Sequence, residues 1–106
     1  MPKDLDISLL LDIYGGLLTD KQKAFLEFYY NDDLSLAEIA ENEGITRQGA
    51  YDIVNRAKNQ LLNYEKKLLI NERFQKIYNQ ADDILAGGNA TDCAKNIKDI
   101  IYKEEA

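Results

Sequence analysis

The sequence predicts an all-α chain. Three observations point that way: the single proline stands at position 2, Leu, Ile, Ala, Lys, Glu and Asn abound while valines are few, and apolar residues recur at three-to-four spacing rather than in alternation. No convincing strand appears. At 106 residues and 12.1 kDa one core fits and two independent cores do not. A chain of this size buries roughly two-thirds of its unfolded surface on folding, which suits a helical core and not a deep catalytic cleft.

The first helix is expected from about Asp4 to Tyr14, with Leu5, Ser8/Leu9, Asp12/Ile13 and then Leu17 on its inner face, ending at Gly15-Gly16. Those glycines read as a helix terminator or a close helix contact. A phosphate loop would need a preceding strand, a third glycine and a lysine, and all three are missing. Thr19-Asp20-Lys21-Gln22 opens the second helix, with Thr19 as cap and Gln22 reaching back to the cap's amide. Ala24/Phe25, Phe28/Tyr29 and Leu34 are expected inward, and the helix ends near Asn31-Asp32-Asp33, whose short polar side chains favour turns. Ser35-Leu36-Ala37-Glu38 repeats the capping logic, and Leu34 and Ile39 occupy the two positions of a hydrophobic staple. The third helix therefore spans Leu36 to Glu43, and Gly44 stops it by taking the left-handed conformation. Only Ile45 separates Gly44 from Thr46, the next N-cap, so the fourth helix leaves at a sharp angle.

That fourth helix, 46–68, is long and places Ala50, Val54, Ala57, Leu61, Tyr64 and Leu68 on one face. The stripe then changes phase. Ile70, Phe74, Ile77, Ala81 and Ile84 form a second series, and the two-residue step from Leu68 to Ile70, at about 100° per residue, puts it roughly on the opposite side. No Gly or Pro interrupts the stretch, so either the helix breaks near Asn71 or it continues and offers its second face to another partner. Ala86-Gly87-Gly88-Asn89 ends it, and a last helix with Cys93/Ala94, Ile97 and Ile100/Ile101 on one face closes the chain. The organisation expected is a domain over 1–68 and a C-terminal helical extension over 69–106. In that extension Ile70, Phe74, Ile77, Ala81 and Ile84 are a candidate dimer surface, the competing occupant being the last or the first helix of the same chain.

Two helices joined by a three-to-four-residue turn containing Gly describe a helix-turn-helix, in which the first helix braces and the second enters the major groove. Leu36 to Asn55 fits this plan. Ile39 is the buried residue of the bracing helix 36–43, Ala40 is small enough for close approach, Gly44 turns, Ile45 plugs the junction, and Ala50 with Ile53/Val54 underlies the recognition helix. Net charge is −6, the reverse of a protein that wraps nucleic acid by charge alone. By segment, however, residues 1–45 carry three basic and ten acidic side chains, 46–78 seven and three, and 79–106 three and six. The positive excess lies on the recognition helix and its extension. With Thr46 as cap, Arg47, Gln48, Tyr51 and Asn55 project away from the underside, and Arg and Gln in an exposed first turn are residue types that hydrogen-bond guanine and adenine edges. Thr46, Arg47, Gln48, Tyr51, Asn55, Arg56 and Lys58 are thus candidate nucleic-acid contacts. The plain alternative is a solvated helix face, with Tyr51 packed on the bracing helix, and Asp52 argues against tight phosphate contact.

Other chemistry finds no support. Histidine is absent and Cys93 is the single cysteine, which excludes a Cys/His zinc site, an intramolecular disulfide and histidine-based triads, and matches a reduced cytoplasmic protein. Asp32-Asp33 and Asp82-Asp83 lack further ligands at metal spacing, and Cys93 sits on an amphipathic face without a basic neighbour, as a small core residue does. No cofactor and no enzymatic activity are expected. The apolar runs are shorter than the roughly 18 residues of a membrane helix, and Met1-Pro2-Lys3-Asp4 is unlike a signal sequence, so neither insertion nor export is expected.

The runs L-L-T-D-K-Q (Leu17–Gln22), D-D-L-S-L-A-E-I-A (Asp32–Ala40), T-R-Q-G-A-Y-D (Thr46–Asp52) and Y-E-K-K-L (Tyr64–Leu68) resemble the YlxM family of small bacterial helix-turn-helix proteins over roughly residues 8–75. More distantly, Thr19–Asn55 is similar to the promoter-reading C-terminal region of sigma factors, which implies a winged-less three- or four-helix core. The chain departs from the family pattern at Glu43, where an apolar residue is usual, and at Gly49-Ala50, which replaces a bulkier pair. The resemblance implies a non-enzymatic accessory or regulatory protein of the signal recognition particle pathway, with the particle's RNA or GTPase as partner. The alternative is a sequence-specific DNA-binding transcriptional regulator acting as a homodimer.

Overall fold

The computed structural model describes residues 5–102, which form six α-helices and no strand. Met1 to Asp4, the expected start of the first helix included, lie outside the described residues. The chain divides after Leu68 into two compact units.

In the first unit, α1 (Leu5–Tyr14) runs into a 3₁₀ turn at Gly15–Leu17, followed by α2 (Asp20–Leu26), α3 (Leu36–Glu43) and the long α4 (Arg47–Leu68). All three shorter helices pack on α4. Ala50, Val54, Ala57 and Leu61 are its buried stripe, as the four-and-three spacing predicts, while Tyr64 is half-buried and Leu68 exposed. Both capping boxes form. Thr19 Oγ1 accepts from Gln22 N–H at 3.2 Å and Gln22 Oε1 from Thr19 N–H at 3.1 Å; Ser35 and Glu38 repeat the pair at 3.1 and 3.2 Å.

The phase expected for α1 is corrected. Its inner face is Ile7, Leu10, Leu11 and Tyr14, continued by Leu18, all buried, whereas Leu9 and Leu17 are exposed and Ile13 is half-buried. Nearly every side of this helix carries a leucine or isoleucine, so the spacing fits two faces and only the partner selects one. Phe25 and Leu26 are the buried pair of α2; the spacing does not place Leu26 inward, and Ala24, Phe28 and Tyr29 are half-buried. Beyond Leu26 the helix widens into a π-turn, Glu27–Asn31, with Asp32 N–H donating to Glu27 O at 2.9 Å. Leu34 N–H reaches Phe28 O at 2.9 Å, and Asp33 takes φ 57° between them.

The helix breaks at Leu69 (φ 55°, ψ 30°), two residues before Asn71. The second unit is then a hairpin of α5 (Ile70–Leu85) and α6 (Ala90–Ile101), which pack on each other. Gly87 takes φ 94° in the turn, and a Cβ on Gly88 would lie 2.7 Å from Asp83 O, the atom that accepts the Gly88 N–H bond. Asn89 Oδ1 caps α6 through Asp92 N–H at 3.0 Å, and Asn96 Nδ2 donates to Gln80 Oε1 across the hairpin at 3.0 Å.

Candidate nucleic-acid interface

The turn between α3 and α4 is built from two backbone facts. Gly44 adopts φ 68°, and the amide of Ile45 bonds Ala40 O at 3.0 Å while that of Gly44 points to Glu41 O at 3.4 Å, a Schellman closure that satisfies the last carbonyls of α3. Ile39 and Ala40 below it are buried. Thr46 then caps α4: its Oγ1 accepts from Gly49 N–H at 3.0 Å. A Cβ on Gly49 would stand 3.1 Å from that same oxygen, so the glycine inside the helix leaves room for the cap.

This turn presents the start of α4 outward. Arg47, Gln48 and Tyr51 are exposed, and Asn55 is half-buried. Each of the other five helices carries a carboxylate in its first turn: Asp6, Asp20, Glu38, Glu72 and Asp92. In α4 that turn has none, and its partial positive charge adds to that of Arg47 instead of being neutralised. Gln48 is already engaged, since its Nε2 donates to Asp52 Oδ1 at 3.0 Å. A two-point contact with adenine would have to break that bond.

The remaining candidates divide. Half-buried Lys58 lies with Tyr51 and Asn55 along a groove of about 170 Å³ whose other wall is Tyr29, Tyr30 and Leu36. Arg56 is on a different side of α4, beside Gln22, Asn59, Gln60 and Asn63. Tyr29 and Tyr30 stand edge to face, 4.9 Å between centroids, and as wall residues of the groove they were missed in the sequence. The signal available was the tyrosine pair itself, five residues before Ser35. Of the extension residues, Ile70 and Ile77 are half-buried while Phe74, Ala81 and Ile84 are exposed. Among the described residues no group of His, Cys, Asp or Glu could hold a metal ion, and no helix is long and apolar enough to cross a membrane.

Comparison with known proteins decides the family. The family model UPF0122, described as "Putative helix-turn-helix protein, YlxM / p13 like", matches residues 1–100. The chain belongs to the UPF0122 family. UPF0122 protein CPE1714 of Clostridium perfringens is 41% identical over 102 residues, covering 95% of this chain and 91% of that protein. A UPF0122 protein of Clostridium kluyveri is 51% identical over 77 residues, or 73% and 69% of the two chains. UPF0122 protein Teth514_1714 of Thermoanaerobacter is 48% identical over 83 residues, or 78% and 71%. Membership of a UPF0122 helix-turn-helix family points to a non-enzymatic protein.

Proposed function

We propose that this UPF0122 protein is a non-enzymatic accessory or regulatory factor of the signal recognition particle pathway that touches nucleic acid with the first turn of α4. The observation that carries the nucleic-acid part is the exposed, carboxylate-free start of α4 bearing Arg47 on a buried helix-turn-helix brace. The pathway follows from the family resemblance. A chain of net charge −6 suppresses loose phosphate binding, which favours a short, shape-dependent contact over a long basic track. Gln48, held by Asp52, favours the particle's structured RNA over base-by-base reading of duplex DNA, the second reading, in which the chain is a transcriptional regulator.

Binding to duplex DNA, to the particle's RNA and to its GTPase, titrated with salt in parallel, tests this. The expected outcome is binding to the RNA or the GTPase at micromolar protein. Where RNA is bound, Arg47→Ala lowers affinity by about tenfold and flattens the salt dependence by about one phosphate contact. Absence of binding to both RNA and GTPase sinks the reading, and tight binding to duplex DNA alone moves it to transcriptional regulation.

A further inference from the structure

We propose that the apolar face of the α5–α6 hairpin is covered by a second copy of the chain, the two hairpins closing into a four-helix bundle. From Leu69 onward Cys93 is the single buried residue among those described. A helical piece of under about 40 residues without disulfide or metal needs association to be stable. Its unburied apolar surface is ordered, not scattered. At about 100° per residue, Phe74, Tyr78 and Leu85 share an arc of α5 with Ile77 and Ile84, and Ile101 shares an arc of α6 with Cys93 and Ile97. Ile77, Cys93 and Ile97 are the more covered members. Because the helices run in opposite directions, the uncovered parts of both arcs turn to the same side of the hairpin. Phe74 is 56% exposed, Tyr78 64%, Leu85 85% and Ile101 60%. With side chains of about 150–250 Å² for the aromatics, this face offers on the order of 600 Å² of apolar surface. A specific interface takes about 800 Å² per partner, polar rim included.

The rims select a second copy as the occupant. The outer edge of the α5 arc carries Asp82 and Gln75, and the outer edge of the α6 arc carries Lys98. A two-fold axis parallel to the helices lays α5 of one copy over α6 of the other. The Gln80–Asn96 bond sets the level along the hairpin, at which Asp82 stands beside position 94, about one helical turn from Lys98, so Asp82 of each copy comes within reach of Lys98 of the other. The same surface is complementary to itself, as an isologous dimer requires. This pairing does not depend on which ligand α4 meets, and its failure would leave that reading untouched.

Sedimentation equilibrium of the full chain between about 5 and 100 µM tests it. The expected mass is twice 12.1 kDa; a monomer throughout overturns the proposal. Phe74→Asp with Leu85→Asp, both at positions exposed in the single chain, is expected to raise the dissociation constant at least a hundredfold, and a dimer undiminished in that variant also overturns it. The surface variant Asp82→Lys, which removes no packing, is expected to weaken the dimer. Adding Lys98→Asp is expected to restore it; no restoration overturns the arrangement.

Discussion

Tyr14 is 1% exposed yet carries a hydroxyl, which donates to Glu65 Oε1 at 2.7 Å, while its ring lies 5.9 Å from that of Tyr64. A bond from a buried hydroxyl to a carboxylate is worth about 1.5–3 kcal/mol. Tyr14→Phe keeps the packing and is expected to cost about 1–2 kcal/mol of stability, read from the midpoint of urea unfolding. This bond ties the end of α1 to the last turns of α4, and the sequence does not reveal it, because residues 14 and 65 share no local pattern. The phase of α1 is hidden for a related reason: Ile7, Leu9, Leu10, Leu11 and Ile13 surround the axis, and the exposed Asp6 and Asp12 flank a side that itself carries Leu9 and Ile13. At α4 the polar and apolar residues separate cleanly, and there spacing alone finds Ala50, Val54, Ala57 and Leu61. Arg47 and Gln48 were legible as an exposed first turn. The Gln48–Asp52 bond that alters what Gln48 offers depends on rotamers no spacing reports.

The elements divide by whether their ends are written in side chains or in backbone geometry. Thr19/Gln22, Ser35/Glu38 and Gly44 announce caps that form where expected, since a cap needs a particular residue type at a particular offset. Ser35→Ala is expected to lose about 1 kcal/mol, measured by thermal unfolding, because α3 is only eight residues long and has little propagation to offset a lost cap. The π-turn at Glu27–Asn31 and the break at Leu69 have no such residue. A π-turn asks only that one bond reach five residues back, and a leucine at φ 55° costs roughly 1–2 kcal/mol relative to helical backbone. Such costs persist where surroundings outweigh them. The sequence does carry the cause of the second break, as the two-residue slip between the Leu68 and Ile70 stripes, and it misplaces the break by two residues because a slip marks an interval, not a residue.

For the whole molecule, the charge sum of −6 conceals an arrangement in which the one first turn without a carboxylate is also the one the helix-turn-helix presents. The two units also differ in kind. The first encloses a core from four helices, whereas the hairpin leaves large apolar side chains uncovered. A unit completed by a second copy has a stability that follows mass action. The midpoint of thermal unfolding, followed by helical circular dichroism, is therefore expected to rise with protein concentration over about 2–200 µM, and Phe74→Asp with Leu85→Asp is expected to remove that rise.

Cys93, the chain's single thiol, lies 7% exposed in the seam of this hairpin. The protein thereby contains its own clock for the separation of α5 from α6. A disulfide-exchange reagent reaches the sulfur when the helices part, so the labelling rate, divided by that of an unprotected thiol, sets an upper bound on the fraction of time the hairpin stands open. No added probe is required, and no second cysteine contributes to the signal.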